Sequence, residues 1–242
     1  MAFEPFIHFV RGLQGKLNTG GLAGVQGQSF QQTAFLRQLQ RDLQQEDILT
    51  TPLEKLNVVV FDIETTGFFP DKGDEIISLG AVKVEGDELR ENNVFYSLVQ
   101  YEKELSKEIS ELTGLSTEKL KSAPPLSEVL IQFFEFSKGA PLVAHHANHE
   151  KAFMQYMSWK LFRTPFKHRV IDTSFLYRIV ESELPFTRLE ELCNHHQIPI
   201  KNRHHALGDA LLTAKLWSIY INKTQQFGCR TLRDIYDRLA RL

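Results

Sequence analysis

Apolar positions at the start of the chain recur at helical spacing. Residues 6, 9, 10, 13 and 17 form one amphipathic stretch, and residues 35, 36, 39 and 43 form a second after an intervening group of glycines. The pattern predicts a helical extension over residues 1–55. We expect it to pack on the main body, and the open alternatives are a partner protein or a second copy of the chain.

Further along the chain the pattern changes to strands. The apolar run at residues 58–61, with residues 75–84 and 93–99, predicts three strands joined by short turns and therefore antiparallel. Residues 141–145 and 170–173 predict two short buried strands. Helices are expected over residues 106–112, 116–120, from 125, and over 147–162, 174–180, 189–196, 205–222 and 232–242. This order predicts an α/β protein with a mixed five-stranded sheet covered by helices on both faces.

Composition narrows the class of protein without identifying it. Hydrophobic content of 42% and charged content of 24% are ordinary for a soluble globular chain, and a net charge of -2 does not indicate a broad nucleic-acid surface. Cys193 and Cys229 lack metal-site spacing and are typical of reduced thiols. No run approaches the ~20 apolar residues of a membrane span, and the first residues lack a signal-peptide pattern. We expect a cytoplasmic protein with no membrane partner.

Acidic residues at the end of the first strand are the first candidate chemistry. Asp62 and Glu64 occupy alternate positions, so both side chains point to the same side of the sheet. Two such carboxylates repel each other and resist burial unless positive charge neutralises them. Oxygen ligands of this kind favour Mg²⁺ or Mn²⁺ over zinc. The alternative is a strand that ends in solvent with two exposed acids. Glu150 and Asp209 fall early in two predicted helices, where each faces a sheet edge.

Three stretches resemble the motifs of a known family. Residues 61–67 (Phe-Asp-Ile-Glu-Thr-Thr-Gly), residues 143–150, and His204 with Asp209 five positions later are similar in order and spacing to the DnaQ-like, DEDDh class of 3'→5' exonucleases. This class includes the epsilon-subunit and PolC-type exonuclease domains of DNA polymerase III. The resemblance implies a ribonuclease H-like fold. It divides the chain into an N-terminal extension (1–55), an exonuclease domain (56–222) and a C-terminal helical tail (223–242).

The resemblance also implies a chemistry and a set of residues. A 3'-terminal phosphodiester would be hydrolysed with two divalent ions, Mg²⁺ or Mn²⁺. Asp62 would bridge both ions, Glu64 and Asp209 would each ligate one of them, and Glu150 would act through water. His204 would accept the proton of the attacking water, as a histidine with an ordinary pKa of about 6.5 can at neutral pH. The residues expected at the substrate are Thr65, Thr66, Gly67, Phe68, His145 and Asn148.

The sequence departs from the family pattern at two adjacent positions. Glu150 stands where the family has aspartate, and its additional methylene displaces the carboxylate by about 1.5 Å if the backbone is fixed. A displacement of about 1 Å in a catalytic site can lower the rate by about a hundredfold. His149 replaces an aromatic residue usually found before that acid.

These observations predict a metal-dependent 3'→5' exonuclease that releases nucleoside monophosphates from single-stranded DNA, in proofreading or repair, with a DNA polymerase subunit as a potential partner. One alternative is an RNA or oligoribonucleotide substrate, because the sequence does not reveal the pocket that would read a 2'-hydroxyl. The other is a weakly active module that binds nucleic acid or a polymerase, which the replacement at Glu150 favours.

Several other residues allow two interpretations. Phe68 either wedges against the terminal base or, together with Phe69 and Pro70, plugs a turn. The histidines clustered near the acids could together bind zinc. The alternative for His145 is a hydrogen-bonded residue at the end of its strand. The zinc alternative involves His145, His146, His149, His204 and His205. His195 and His196 are expected to cap the helix before them, where a partial positive charge would meet its C-terminal carbonyls. A basic cluster, Arg163, Lys167, His168 and Arg169, is either a solvated loop or a phosphate contact.

Overall fold

The computed structural model describes residues 48–242, so the predicted helices within the first 47 residues lie outside the described part of the chain. Short 3₁₀ turns occur at Leu53–Lys55 and Pro70–Lys72. The five strands are β1 (Asn57–Thr65), β2 (Ile76–Glu85), β3 (Glu88–Leu98), β4 (Leu142–Ala144) and β5 (Val170–Asp172). The helices are α1 (Lys107–Thr113), α2 (Thr117–Lys121), α3 (Leu126–Ser137), α4 (Asn148–Phe162), α5 (Ser174–Val180), α6 (Leu189–His195), α7 (Ala206–Gln226) and α8 (Leu232–Leu239).

The strands form one mixed sheet in the order β3-β2-β1-β4-β5, which confirms the predicted architecture. The first three strands are antiparallel, whereas β4 and β5 join β1 in parallel. β3 is longer than predicted because residues 88–92 at the sheet edge are polar and exposed except for Leu89, so they carry little apolar signal. Among the described residues, no helix has the length and apolarity to cross a membrane.

Each face of β1 packs against a separate group of helices. Val58 and Val60 lie in a core with α5, α6, α7 and α8, whereas Val59 and Phe61 lie in a core with α3 and α4. Side chains alternate along a strand, so Asp62 shares the face of Val58 and Val60. The sheet therefore directs the acids of β1 towards the side that α7 covers.

Helix α7 approaches the sheet at a position that has no side chain. Gly80 of β2 is paired with Asp62, and a Cβ atom there would lie 2.1 Å from the backbone nitrogen of Leu207. Any larger residue would push the start of α7 away from the sheet. The glycine therefore places the first turn of α7 directly beside the acidic end of β1.

Residues on the amino-terminal side of β1 contact the carboxyl-terminal helix. The Leu53 N–H donates to the Arg230 carbonyl (2.8 Å), the Arg233 N–H donates to the Leu49 carbonyl (2.9 Å), and Leu53 is buried. Residues 48–55 of the predicted extension thus lie on the main body. α7 continues past residue 222 to Gln226, so this helix crosses the predicted start of the tail. The predicted domain boundaries stay predictions.

Candidate active site

Three carboxylates converge where β1 meets α7. Asp62, Glu64 and Asp209 each offer an oxygen that lies within 4.8 Å of the others. The two β1 acids lie on the same side, as predicted, and the strand stays paired with β2 through Thr65. The alternative of a strand that ends in solvent with separate exposed acids is therefore wrong.

Asp209 lies in the first turn of α7 and is 3% exposed. Its Oδ2 accepts a hydrogen bond from the His204 N–H (3.2 Å) and contacts the Arg203 guanidinium, whereas its Oδ1 is buried and has no partner. The loop before α7 packs tightly on this turn, since a Cβ atom at Gly208 would lie 2.1 Å from the Asn202 carbonyl oxygen. The loop thus fixes one oxygen of Asp209 and leaves the other available.

Glu150 lies in the first turn of α4 on the other side of the acids. It is 4% exposed, and its Oε2 is buried with no hydrogen-bond donor. Burial, together with the charges of Asp172 and Glu64, raises the Glu150 pKa to about 8. Glu150 lies outside the three-residue group with oxygens within 4.8 Å, although its charge also raises the Asp62 pKa. It is therefore a neighbour of this group and not one of its members.

Burial and mutual repulsion raise the pKa values of the clustered carboxyl groups. Burial raises the pKa of Asp62 well above its ordinary value, and the charges of Glu150, Glu64 and Asp209 raise it further. Burial and Asp209 raise the Glu64 pKa to about 7. Four carboxyl groups in one small region, with two buried oxygens that lack donors, are stable as anions only beside a cation. Hard divalent ions take such all-oxygen ligand sets, so these residues fit the expected metal.

Arg203 belongs to the site, and the sequence analysis missed it. Its Nε and Nη2 atoms lie 2.9 and 2.7 Å from Glu190 Oε1, and its Nη1 contacts Asp209. Its charge lowers the pKa of Asp62, Glu64 and Asp209, against the larger effect of burial. The contact with Glu190 depends on how α6 packs against α7. No sequence motif reports that packing, and adjacency to His204 was the one available signal.

The two histidines that precede α7 have different positions. His204 has a left-handed backbone (φ 58°) and is partly exposed beside Asp209, to which its N–H is bonded. His205 is the N-cap of α7: its Nδ1 accepts from the Gly208 N–H (3.4 Å), and its ring stacks on Tyr96 at 4.4 Å. His205 is thus occupied with structure, while His204 is placed near the acids.

The loop after β1 is ordered by its own side chains. Thr65 Oγ1 donates to the Gly67 carbonyl (2.7 Å), and Thr66 Oγ1 accepts from the Glu75 N–H (3.0 Å). A Cβ atom at Gly67 would lie 2.4 Å from the Asp74 carboxylate, so any larger residue would require that side chain to move. These bonds hold the loop against the acid-bearing end of the strand.

Phe68 stands out from this loop with 77% of its surface exposed, and its ring lies 5.8 Å from the His149 ring. Of the three residues that the alternative interpretation assigns to a plugged turn, only Pro70 is buried, whereas Phe68 and Phe69 are exposed. His149 is also 3.3 Å from Thr65 Oγ1. The histidine in the position of the family's aromatic residue therefore packs against the loop after β1.

The other two predicted substrate residues flank the start of α4. Asn148 is exposed at its first position. His145 is hydrogen-bonded as predicted: its Nδ1 lies 2.9 Å from Thr173 Oγ1 and its Nε2 lies 2.9 Å from the Thr187 carbonyl. Burial lowers the His145 pKa to about 4, so the ring is neutral. Both ring nitrogens have protein partners, which anchors the 187 loop beside β4.

The zinc alternative is wrong for residues 48–242. His145 and His146 both bond the Thr187 carbonyl, while His149 and His205 contact Thr65 and Tyr96 elsewhere. These rings do not share a ligand group in the described part of the chain.

A second cluster of potential ligands lies at the ends of α5 and α6. Glu181 is 3.6 Å from His195 Nε2 and 3.2 Å from His196 Nε2. Lys223 forms an ion pair with the same carboxylate, and Tyr220 donates to it (2.9 Å). His196 is the C-cap residue of α6, as predicted, and its N–H bonds to the Leu192 and Asn194 carbonyls. Burial lowers the His196 pKa, against the opposing effect of Glu181. Glu181 already has a cation partner in Lys223, and the cluster joins three helices.

His168 is not part of the predicted basic cluster. Its ring is buried and stacks on Phe134 at 5.0 Å and on Phe166 at 5.2 Å. Burial lowers its pKa to about 4, so it carries no charge at neutral pH. The flanking Arg163, Lys167 and Arg169 are exposed, as predicted.

Comparison with known sequences gives a consistent result. A family model described as Exonuclease matches residues 59–217. A DNA polymerase III PolC-type protein of Caldanaerobacter subterraneus is 36% identical over 177 residues, which cover 73% of this chain and 12% of that protein. A 3'-5' exonuclease DinG of Bacillus subtilis is 32% identical over 184 residues, 76% of this chain and 19% of that protein. The chain therefore spans about one eighth and one fifth of these two relatives.

Solved structures share the fold. The nuclease domain of 3'hExo, a DEDDh family member bound to rAMP, has a TM-score of 0.61 at 21% identity, covering 72% of this chain and 94% of that one. Exonuclease I of E. coli in complex with a dA16 oligonucleotide has a TM-score of 0.62 at 13% identity, covering 71% and 42%. The mixed sheet with flanking helices is thus the ribonuclease H-like arrangement expected from the sequence.

Proposed function

The chain belongs to the DnaQ-like exonuclease family, and on that premise we propose that it removes nucleoside monophosphates from the 3' end of single-stranded DNA. The observation that carries the proposal is the convergence of Asp62, Glu64 and Asp209 beside the buried Glu150. Clustered acids that raise one another's pKa values destabilise the folded protein, and binding of divalent ions would explain why the chain has them at one place.

Asp62, Glu64 and Asp209 would hold two ions, Mg²⁺ or Mn²⁺, with Glu150 acting from the α4 side. When bound, such ions supply activation of a water molecule and stabilisation of the charge on the departing 3'-oxygen. Arg203, itself held by Glu190, keeps Asp209 in position and offsets part of the acidic charge. The residues of the chain thus provide a negatively charged frame whose net charge the ions balance.

His204 is the residue we assign to proton transfer. It is partly exposed beside Asp209, and the left-handed backbone of the preceding loop holds it there. Its ring would accept the proton of the attacking water. Thr65, Thr66 and Gly67 would contact the terminal nucleotide, Asn148 and His145 would border it, and the exposed Phe68 would stack on its base.

Single-stranded DNA is favoured as the substrate by the relatives. The PolC-type relative is a DNA polymerase III by name, and the Exonuclease I structure contains a DNA oligonucleotide. The 3' polarity is supported by the name of the DinG relative. We propose a role in proofreading or repair, with a DNA polymerase as the partner.

The proposal is tested with a 5'-labelled 20-nucleotide single strand of DNA and with the matching RNA, each in Mg²⁺, in Mn²⁺ and in chelator. Wild type should produce a ladder that shortens from the 3' end and that chelator abolishes. Asp62→Asn should remove at least about a hundredfold of the rate, because it removes charge from the centre of the cluster. If wild type cleaves only the RNA, the proposed substrate is wrong and RNA takes its place.

Glu150→Asp tests whether the longer side chain limits the enzyme. Faster cleavage by this variant would show that the additional methylene displaces the carboxylate. If wild type is inert on both strands while Glu150→Asp cleaves, the domain is a disarmed binding module. Absence of cleavage by every variant with both metals would refute the exonuclease proposal.

A further inference from the structure

In one continuous segment beside the site, all of the charged side chains are basic. Residues 151–171 contain no acidic residue, whereas the whole chain has a net charge of -2. The segment has five cations, all of them exposed: Lys151, Lys160, Arg163, Lys167 and Arg169. Within the described residues, none of the five forms an ion pair with a carboxylate. Their charge is thus uncompensated by the protein.

Two large aromatic side chains lie among these charges. Tyr156 and Trp159 of α4 are 36% and 56% exposed, although the opposite face of the helix is buried through Phe153 and Met157. The Lys160 ammonium lies 5.9 Å from the centre of the Tyr156 ring. Exposed rings interleaved with unpaired cations are the combination that binds single-stranded nucleic acid, since rings stack on bases and cations contact phosphates.

The aromatic residues are continuous with the candidate active site. Positions 149, 152, 156, 159 and 163 follow one side of α4 at spacings of three and four residues. His149, at the first of these positions, contacts the exposed Phe68 and Thr65 of the loop after β1. From His149 to Arg163 the helix extends by about 21 Å. A strand with its 3' end at the acids could therefore follow the helix over several nucleotides.

We propose that Tyr156, Trp159, Lys160 and Arg163 form a binding track for single-stranded DNA upstream of the 3' terminus, here named the α4 track. The inference rests on the proposed function for its direction along the strand, and it adds a second place where the substrate is held. A polyanion suits this surface because the charged side chains of residues 151–171 are all cations, so no carboxylate in the segment repels phosphate groups. A protein partner would instead need carboxylates that match the positions of these cations and a pocket that accepts the Trp159 side chain.

The α4 track is tested by fluorescence anisotropy with a labelled oligo(dT) 20-mer in chelator, where nothing is cleaved. Tyr156→Ala combined with Trp159→Ala should weaken binding at least about tenfold, because each lost stacking contact costs several-fold in affinity. Lys160→Gln combined with Arg163→Gln should lower the slope of log affinity against log salt by about 1.4. Phe227→Ala is the matched control: it is 48% exposed, with Arg238 lying 5.1 Å from its ring centre, on another part of the surface.

Cleavage then separates this inference from the proposed function. The aromatic double variant should raise KM for the 20-mer about tenfold with kcat unchanged, and it should cleave a trinucleotide like wild type. Unchanged affinity for the 20-mer, or an equal loss in Phe227→Ala, would overturn the track while leaving the exonuclease intact. If wild type cleaves neither substrate, the exonuclease proposal fails, and the anisotropy comparison alone still decides whether the track binds DNA.

Discussion

Replacing Glu150 by glutamine should stabilise the metal-free protein while disabling its site. Glu150 has an ordinary pKa of 4.5 and a folded pKa of about 8, so at pH 7 the folded chain keeps a proton that the unfolded chain releases. A difference of about 2.5 pKa units at pH 7 corresponds to about 3 kcal/mol of lost stability. Glu150→Gln removes the titration and should recover this amount.

The sign and the pH window follow from the same values. The penalty is absent below pH 4.5, grows as the pH rises through the range from 4.5 to 8, and levels above it. Urea denaturation in chelator at pH 5, 6, 7 and 8 should therefore show the variant gaining on wild type as the pH rises. Glu104→Gln, at an exposed position, is the control and should follow wild type throughout.

Addition of Mn²⁺ should reverse the order of stability, because wild type gains more from binding the ion. Parallel stability curves for wild type and Glu150→Gln between pH 5 and pH 8 would refute the reasoning, since they would mean that folding does not raise the Glu150 pKa. A variant less stable than wild type at pH 8 would refute it as well.

Three further outcomes are expected. Gly80→Ala should cost about 3 kcal/mol in urea denaturation and also lower activity, because its Cβ would strike α7 at Leu207; loss of neither would contradict the close contact. Arg203→Ala should lower the free energy of unfolding in chelator by about 3 kcal/mol, because it leaves Asp209 and Glu190 unpaired. Mn²⁺ should restore part of this loss in a thermal melt, because the ion neutralises the same carboxylates as Arg203. An equal loss with and without the ion would show that it does not. The His168 ring should contribute about 3 kcal/mol of stability that is lost between pH 6.5 and pH 4, because the unfolded chain protonates this histidine first; His168→Leu should gain that amount relative to wild type over this range in a thermal melt, and a constant difference would exclude a buried neutral ring.

The sheet could be predicted because its strands carry strong apolar signals. The run at residues 58–61 is buried on both faces, and alternation alone placed Asp62 and Glu64 on one side of it. The polar half of β3 could not be predicted in the same way. Glu88 and Leu89 are held at the edge by backbone pairing with Glu85 and Val84, and backbone hydrogen bonds leave no trace in the pattern of side chains.

The site was predicted where local spacing decides position and was missed where packing does. Arg203 lies in a loop and acquires its role from Glu190 on α6, so no interval along the chain reveals it. His168 was grouped with its basic neighbours, although exposure alternates along the extended segment before β5 and turns this ring inward while Lys167 and Arg169 face solvent. Adjacency along the chain and adjacency in space differ most in such extended segments.

The pairing between the start and the end of the described chain also bears on how such a domain can be carried within a larger protein. Pro52 and Thr231 form a β-bridge, so the segment that leads into β1 lies beside the segment that leads into α8. A domain with adjacent ends can be inserted into a surface loop of another protein with little distortion of either. The PolC-type relative, in which the matched region is 12% of the length, is consistent with a module that can be moved between larger polypeptides as one unit.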